Sequence, residues 1–188
     1  MNSRNRDTQN YEIGNLPVDI RERIQKIEEK TGFIPNVFLR LATRHDEFRA
    51  FFLYHDALME KPSGLSRTEK EMIVVSTSAT NNCIYCVVAH GAVLRIRSKD
   101  KHIADQIAIN YRHAEISERE RVMLDFATKV AESSYKISKK DFDLLKNSGF
   151  SEDDIWDIVS IVSFFAMSNR LANSLSIKPN EEFYAMGR

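Results

Sequence analysis

Ser66-Arg67-Thr68-Glu69-Lys70-Glu71-Met72-Ile73-Val74-Val75-Ser76-Thr77-Ser78-Ala79-Thr80 decides how this chain folds. Its second half is rich in β-branched and small residues and resembles a buried strand. Its first half carries a Ser-x-x-Glu capping box, Ser66 with Glu69, which opens a helix by satisfying two free backbone N–H groups. No partner strand is visible elsewhere in the chain, so the stretch is read as helix. Glu69 serves as the cap partner, which leaves Glu71, two residues on, for another role.

The choice matters because of what comes next: Cys83-Ile84-Tyr85-Cys86-Val87-Val88-Ala89-His90. These are the two cysteines of the chain, in an apolar run without turn signals. A thioredoxin-type Cys-x-x-Cys needs a strand before the motif and a mixed sheet around it, so the helical reading rejects thioredoxin itself. On a helix, Cys86 and His90 are i and i+4 and share a face. Cys83 and Cys86 are i and i+3, and Cys83 and His90 are i and i+7, so three reactive groups line one stripe. Asn81 and Asn82 are good N-cap residues, which sets Cys83 in the first turn. The positive end of the helix lowers a thiol pKa there. A His one turn from the second thiol can take its proton, and Glu71 can orient that His. The dipole favours Cys83 as the reactive thiol and the His favours Cys86, so these arguments leave the attacking sulfur open.

The bulk composition narrows the class. With 188 residues, 43% apolar and 29% charged, the chain has the make-up of an ordinary globular protein. Lys plus Arg and Asp plus Glu both number 27, for zero net charge, so no basic surface draws it to nucleic acid or anionic membrane. No uninterrupted apolar run reaches membrane-spanning length, and Met1 to Asn10 lacks the apolar core of a secretory signal. A cytoplasmic protein is the default expectation. In a reducing compartment a close Cys pair points to redox chemistry or metal binding before structure.

Outward from the motif, the whole chain reads as helices joined by short loops. Residues 1–15 are expected to be a surface arm, and residues 16–188 one all-α domain. Pro17 opens an amphipathic helix with Ile20, Ile24 and Ile27, stopped by Gly32. Val37 to Thr43 and Asp46 to about Glu60 follow as helices. Past the Cys helix, expected to run to about Arg97, Asp100 to Asn110 forms another. Ser117 with Glu120 and Ser151 with Asp154 repeat the capping box, and Ser138 caps a short helix ended by Gly149. The helix from Ser151 carries Ile155, Trp156, Ile158, Val159, Ile161, Val162, Phe164 and Phe165, apolar nearly all round, and is expected at the centre of the fold.

Glu71, Cys83, Cys86 and His90, at steps of 12, 3 and 4 residues, resemble the Glu…Cys-x-x-Cys-x-x-x-His signature of the alkyl hydroperoxidase D group. That group lies within the carboxymuconolactone decarboxylase superfamily. Gly32 to Asn36, Leu65 to Glu71, Gly149 to Ser151 and Asn169 to Ala172 extend the likeness across most of the chain, toward the peroxidase-related branch. The resemblance implies an all-α alkyl hydroperoxidase D-like bundle that forms homo-oligomers. It implies a thiol-dependent (alkyl hydro)peroxidase-like oxidoreductase, re-reduced by an external dithiol or a protein-borne thiol. By the same resemblance Cys86 attacks the hydroperoxide, Cys83 resolves, and His90 with Glu71 relays protons, with neither cofactor nor metal. Tyr85 stands where classical members often carry a His, and it is not a base near neutral pH.

Blander readings of the same residues exist. Two buried cysteines can be small core residues. Cys83, Cys86 and His90 with Glu71 as fourth ligand would make a zinc site, though a structural site wants four dedicated ligands. A disulfide that alters a partner surface would make a non-enzymatic redox sensor or adaptor. His90 with Glu71 alone would serve an acid-base enzyme on a small carbonyl substrate. His55 reads as surface or core, and Asn169 and Arg170 as structural polar residues.

Overall fold

The computed structural model describes residues 13–188. Most of the expected 1–15 arm lies outside the described residues. The described chain contains helices and no strand. Where the sequence alone drew one domain over 16–188, the chain packs as two compact units, one ending at Tyr54 and the other starting at His55.

The first unit holds α1 (Val18–Thr31), α2 (Asn36–Leu41) and the first part of α3 (His45–Met59). Pro17 precedes the first helical residue, where its fixed φ costs nothing and its missing N–H is not needed. Gly32 ends α1 in the left-handed region at φ 85, a conformation that penalises a Cβ. Ile20 and Ile24, one turn apart, enter a core with Leu16, Phe38, Leu41, Ala42, Phe48 and Phe52. Phe38 and Phe52 stack with ring centroids 4.2 Å apart.

The second unit is built around α4 (Arg67–Thr80), which touches α5 (Ile84–Ser98), α6 (Ile103–Asn110), α7 (Glu118–Ser133) and α9 (Glu152–Ser174). Every residue from Glu69 to Ser78 is buried. That explains the strand-like composition of the segment. A helix enclosed on all sides has no polar face to keep, so its sequence loses the amphipathic period. The Ser66–Glu69 box forms with both bonds, Glu69 N to Ser66 Oγ at 3.1 Å and Ser66 N to Glu69 Oε2 at 2.7 Å. Lys70 is fully buried and donates to the carbonyls of Leu58 and Lys61, both at 2.9 Å, pinning the loop into α4.

Capping boxes also start α7, α8 (Lys139–Asn147) and α9 at Ser117, Ser138 and Ser151. A four-residue α10 (Glu182–Ala185) closes the chain, held by the buried Arg95 through the carbonyls of Phe183 and Met186. α9 is the core helix the sequence suggested, with one difference. Trp156 is 74% exposed while its neighbours Ile155, Ile158, Ile161 and Val162 are buried. By length and composition α9 could cross a membrane, but 61% of its most apolar window is buried inside the protein, which is how a core helix passes the same test.

Candidate active site

Cys83 is the residue that caps α5, with φ −95 and ψ 95, rather than a first-turn residue. Asn81 ends α4, and Asn82 takes a left-handed conformation at φ 53 to reverse the chain. Asparagine tolerates that region better than most residues. The two asparagines are therefore spent on stopping α4 and turning, which leaves the cap position of the next helix to Cys83. The Cys83 N–H donates to Ser78 O at 2.9 Å, and Cys83 O accepts from Val87 N at 3.0 Å.

Both thiols are free and buried, Cys83 1% and Cys86 2% exposed. They hydrogen-bond to each other, and the bond is unequal. The Cys86 S–H donating to its sulfur brings the Cys83 thiol down from 9.0 to about 7, against the opposing effect of burial. The backbone amides of Cys86 and Tyr85, at the start of α5, pull the same way. The Cys86 thiol moves up, first because its proton is shared with Cys83 and then because it is buried. Of the two thiols, Cys83 is therefore the one that gives up its proton first.

His90 lies one turn along α5 from Cys86. Its Nδ1 is 2.8 Å from Glu71 Oε2, joining residues 19 apart in sequence across α4 and α5. A carboxylate only accepts, so Nδ1 carries the hydrogen and Nε2 is the nitrogen left to take a proton. Phe165 of α9 meets the imidazole edge-to-face, centroids 4.7 Å apart. Glu71, 3% exposed, has its second oxygen 3.4 Å from Arg97 Nη1. Arg97 also donates to Arg67 O at 3.3 Å and to Glu60 Oε1 at 3.2 Å. The buried carboxylate is thus held from two sides, by the His90 imidazole and the Arg97 guanidinium. Glu69 is engaged by the Ser66 cap and by Arg119 at 3.1 Å, as the capping box in the sequence implied.

His55 reaches the same aromatic cluster, with its ring centroid 6.3 Å from Phe165, on which His90 also packs. Among the described residues no group of three or more His, Cys, Asp or Glu side chains is arranged to hold a metal ion. A cleft of about 480 Å³ between α7 and α8, lined by Asp125, Lys129, Asp141 and Leu145 among others, holds none of the four residues.

Sequence reasoning gave Asn169 and Arg170 of α9 a structural role without telling the two apart. Asn169 is fully buried, accepting from Asn81 Nδ2 and donating to Ser78 Oγ, both at 2.9 Å, beside the turn that leads into Cys83. Arg170 beside it is exposed and bonds only its own helix, at Ala166 O. An Asn–Arg pair carries no periodic signal that would separate them. A place on the apolar stripe of α9, four residues after Phe165, was the available clue.

The helical architecture and this site define an AhpD-like all-α protein. The model of the carboxymuconolactone decarboxylase family matches residues 46–116, a span containing Glu71, Cys83, Cys86 and His90. A solved structure from Ralstonia eutropha JMP134, described as an alkylhydroperoxidase AhpD core and uncharacterized peroxidase-related protein, is 56% identical. It covers 94% of this chain and 93% of its own, with a TM-score of 0.92. A peroxidase-related protein from Silicibacter sp. TM1040 is 39% identical over 93% of this chain and 91% of its own, with a TM-score of 0.90. The debrominase Bmp8, solved with 2,3,4-tribromopyrrole, shares the fold at 19% identity, covering 90% of this chain and 89% of its own (TM-score 0.76). No protein of curated function matches the sequence. The chain belongs to the carboxymuconolactone decarboxylase superfamily, among its AhpD-like, peroxidase-related members.

Proposed function

We propose that the protein is a thiol-dependent, peroxidase-like oxidoreductase that reduces organic hydroperoxides with Cys83 and Cys86 as its redox pair. The observation that carries this reading is the pair of free, buried thiols at the start of α5, on the same helix as a His90 bonded to Glu71 at 2.8 Å. In the first step a thiolate attacks the O–O bond, forming a sulfenic acid and releasing an alkoxide that takes a proton to leave as the alcohol. In the second, the other thiol displaces water from the sulfenic acid to form the Cys83–Cys86 disulfide. Over the cycle the dithiol and one hydroperoxide give disulfide, alcohol and water. An external dithiol or a protein-borne thiol then returns the pair to the reduced state by exchange. His90 Nε2 is the group that takes and returns the proton, and Glu71 keeps it aimed.

Attack from Cys86 follows the resemblance and uses His90, one turn away, as its base. Attack from Cys83 is the second reading, favoured by the thiol brought down to about 7. Trapping the sulfenic acid in Cys83→Ala and Cys86→Ala separates them, since the attacking sulfur alone is captured. The reading as a whole is tested by counting free thiols before and after one equivalent of an organic hydroperoxide. Two falling to none supports it, and two surviving sinks it. Self-association is part of the reading. Trp156, Met167 and Leu171 of α9, with Leu175 just past its end, are exposed apolar surface that a second copy would cover, and the mass in solution tests this.

A further inference from the structure

We propose that Asn169 and Asn173 of α9 are positioning residues of the cysteine pair, clamping the turn that carries Cys83 so that it is in place to form the disulfide with Cys86. Cys83 is the N-cap of α5, and Cys86 is the third residue of that helix. These are the two positions whose side chains meet in a capping box, as Ser66 and Glu69 do at α4. Cys86 is fixed by the helix itself. Cys83 is not, because an N-cap residue has non-helical backbone angles and its N–H finds no partner in its own helix. What fixes it is α4. The Cys83 N–H donates to Ser78 O and the Asn82 N–H to Ala79 O, both at 2.9 Å, with Asn82 left-handed at φ 53. That pattern is a Schellman motif, in which carbonyls of the last helical turn hold the two residues that leave it. Cys83 is therefore the end of the α4 motif and the cap of α5 at once. A non-glycine residue in the left-handed region persists where its surroundings hold it.

α9 supplies that hold, with three hydrogen bonds onto this one motif. Asn169, 0% exposed, donates from Nδ2 to Ser78 Oγ and accepts at Oδ1 from Asn81 Nδ2, both at 2.9 Å. One turn further along, Asn173 Nδ2 donates to Asn81 O at 3.2 Å. Ser78 is the residue whose carbonyl holds Cys83, and Asn81 is the residue that caps α4. A plain brace between helices would be indifferent to the redox state of the pair. A positioning clamp is not, because the disulfide itself ties Cys83 to Cys86. With the clamp, the dithiol already holds Cys83 in place, and closing the disulfide removes little further freedom. Without it, the reduced turn gains conformations that the disulfide must take away.

Equilibration with glutathione at fixed pH reads the difference. There the protein dithiol and one oxidised glutathione give the protein disulfide and two reduced glutathiones. Asn169→Ala is expected to move this equilibrium about tenfold toward the dithiol, about 30 mV for a two-electron couple, the size expected for freeing one residue's backbone. Asn173→Ala, which loses a single bond at an exposed residue, should move it the same way by roughly threefold. Amide hydrogen exchange at Cys83, whose N–H bonds Ser78 O, follows the turn directly. It should quicken in the reduced variants and stay near the wild-type rate in the oxidised ones. Folded variants with the wild-type glutathione equilibrium overturn the proposal. So does a loss of unfolding stability that is equal in the oxidised and reduced forms, which is the mark of a plain brace. Should Asn169→Ala not fold, Asn173→Ala decides by the same two measurements. The proposal rests on the redox-pair reading, and the two fail differently. A wild type that forms no disulfide at any glutathione ratio sinks that reading and the proposal with it, whereas a wild type that forms one, matched by its variants, sinks the proposal alone.

Discussion

Removing the Cys86 sulfur is expected to make Cys83 less reactive at neutral pH and more reactive in alkali. The Cys86 S–H is the largest influence bringing the Cys83 thiol from 9.0 to about 7. Hydrogen bonds to charged groups contribute about 1.5–3 kcal/mol, and a thiol is a weak donor, so the low end applies. That corresponds to about one pH unit, and Cys86→Ala should move the Cys83 midpoint to about 8. At pH 7 the thiolate fraction falls from about one half to about one tenth. The more basic thiolate is intrinsically about threefold more nucleophilic, since nucleophilicity tracks basicity with a coefficient near 0.4–0.5. Alkylation by iodoacetamide should therefore be about twofold slower than wild type at pH 7 and about two- to threefold faster at pH 9, the curves crossing near pH 7.5. Cys86→Ser keeps an O–H donor and should fall between. In the reverse experiment, Cys83→Ala relieves the largest cause of the upward shift at Cys86, and the remaining thiol should titrate lower than it does in the pair. Superimposed wild-type and Cys86→Ala profiles would refute the shared-proton account of the pair.

Arg97→Met takes the cation from Glu71 Oε1 and leaves a buried carboxylate with His90 alone; it should lower unfolding stability by about 1–3 kcal/mol in urea, and an unchanged midpoint contradicts the pairing. Gly64→Ala would bring a Cβ within 2.7 Å of Asp154 Cγ, displacing the carboxylate that caps Ser151 N at 2.9 Å. Its cost combines a lost cap with overpacking, about 2–4 kcal/mol, and should exceed the roughly 1 kcal/mol of Ser66→Ala; the opposite order in thermal or urea unfolding is the failing result. The thiols also link stability to pH. The Cys83 folded value of about 7 lies below its ordinary 9.0, so its stabilising contribution is missing below pH 7 and grows between pH 7 and 9. Cys86 shifts the other way and opposes stability only above its ordinary 9.0. The stability of reduced wild type relative to the Cys83→Ser, Cys86→Ser double variant should therefore peak near pH 9, and a flat difference between pH 6.5 and 9 rules the linkage out.

Much of this protein is written locally. The boxes at Ser66, Ser117 and Ser151 each work within four residues, so their helices are legible before any tertiary contact is known. Gly32 and Gly149 mark their stops for the same reason, both adopting the positive φ that a side chain resists. The spacing of Cys83, Cys86 and His90 is equally local, because one helix carries all of them past its cap. The assignment of Asn81 and Asn82 as caps of α5 failed because the turn ahead of a helix and the end of the previous helix compete for the same residue types. Only the tertiary structure seats Glu71 on His90, brings Arg97 to the far side of that carboxylate, and carries Asn169 to Ser78, 91 positions earlier in the chain. It alone encloses α4 on all sides and turns Trp156 outward. Capping and helical period act over one turn and leave a mark in neighbouring residues. The meeting of α4, α5 and α9 depends on how whole helix faces pack, and no short stretch of sequence records which faces meet.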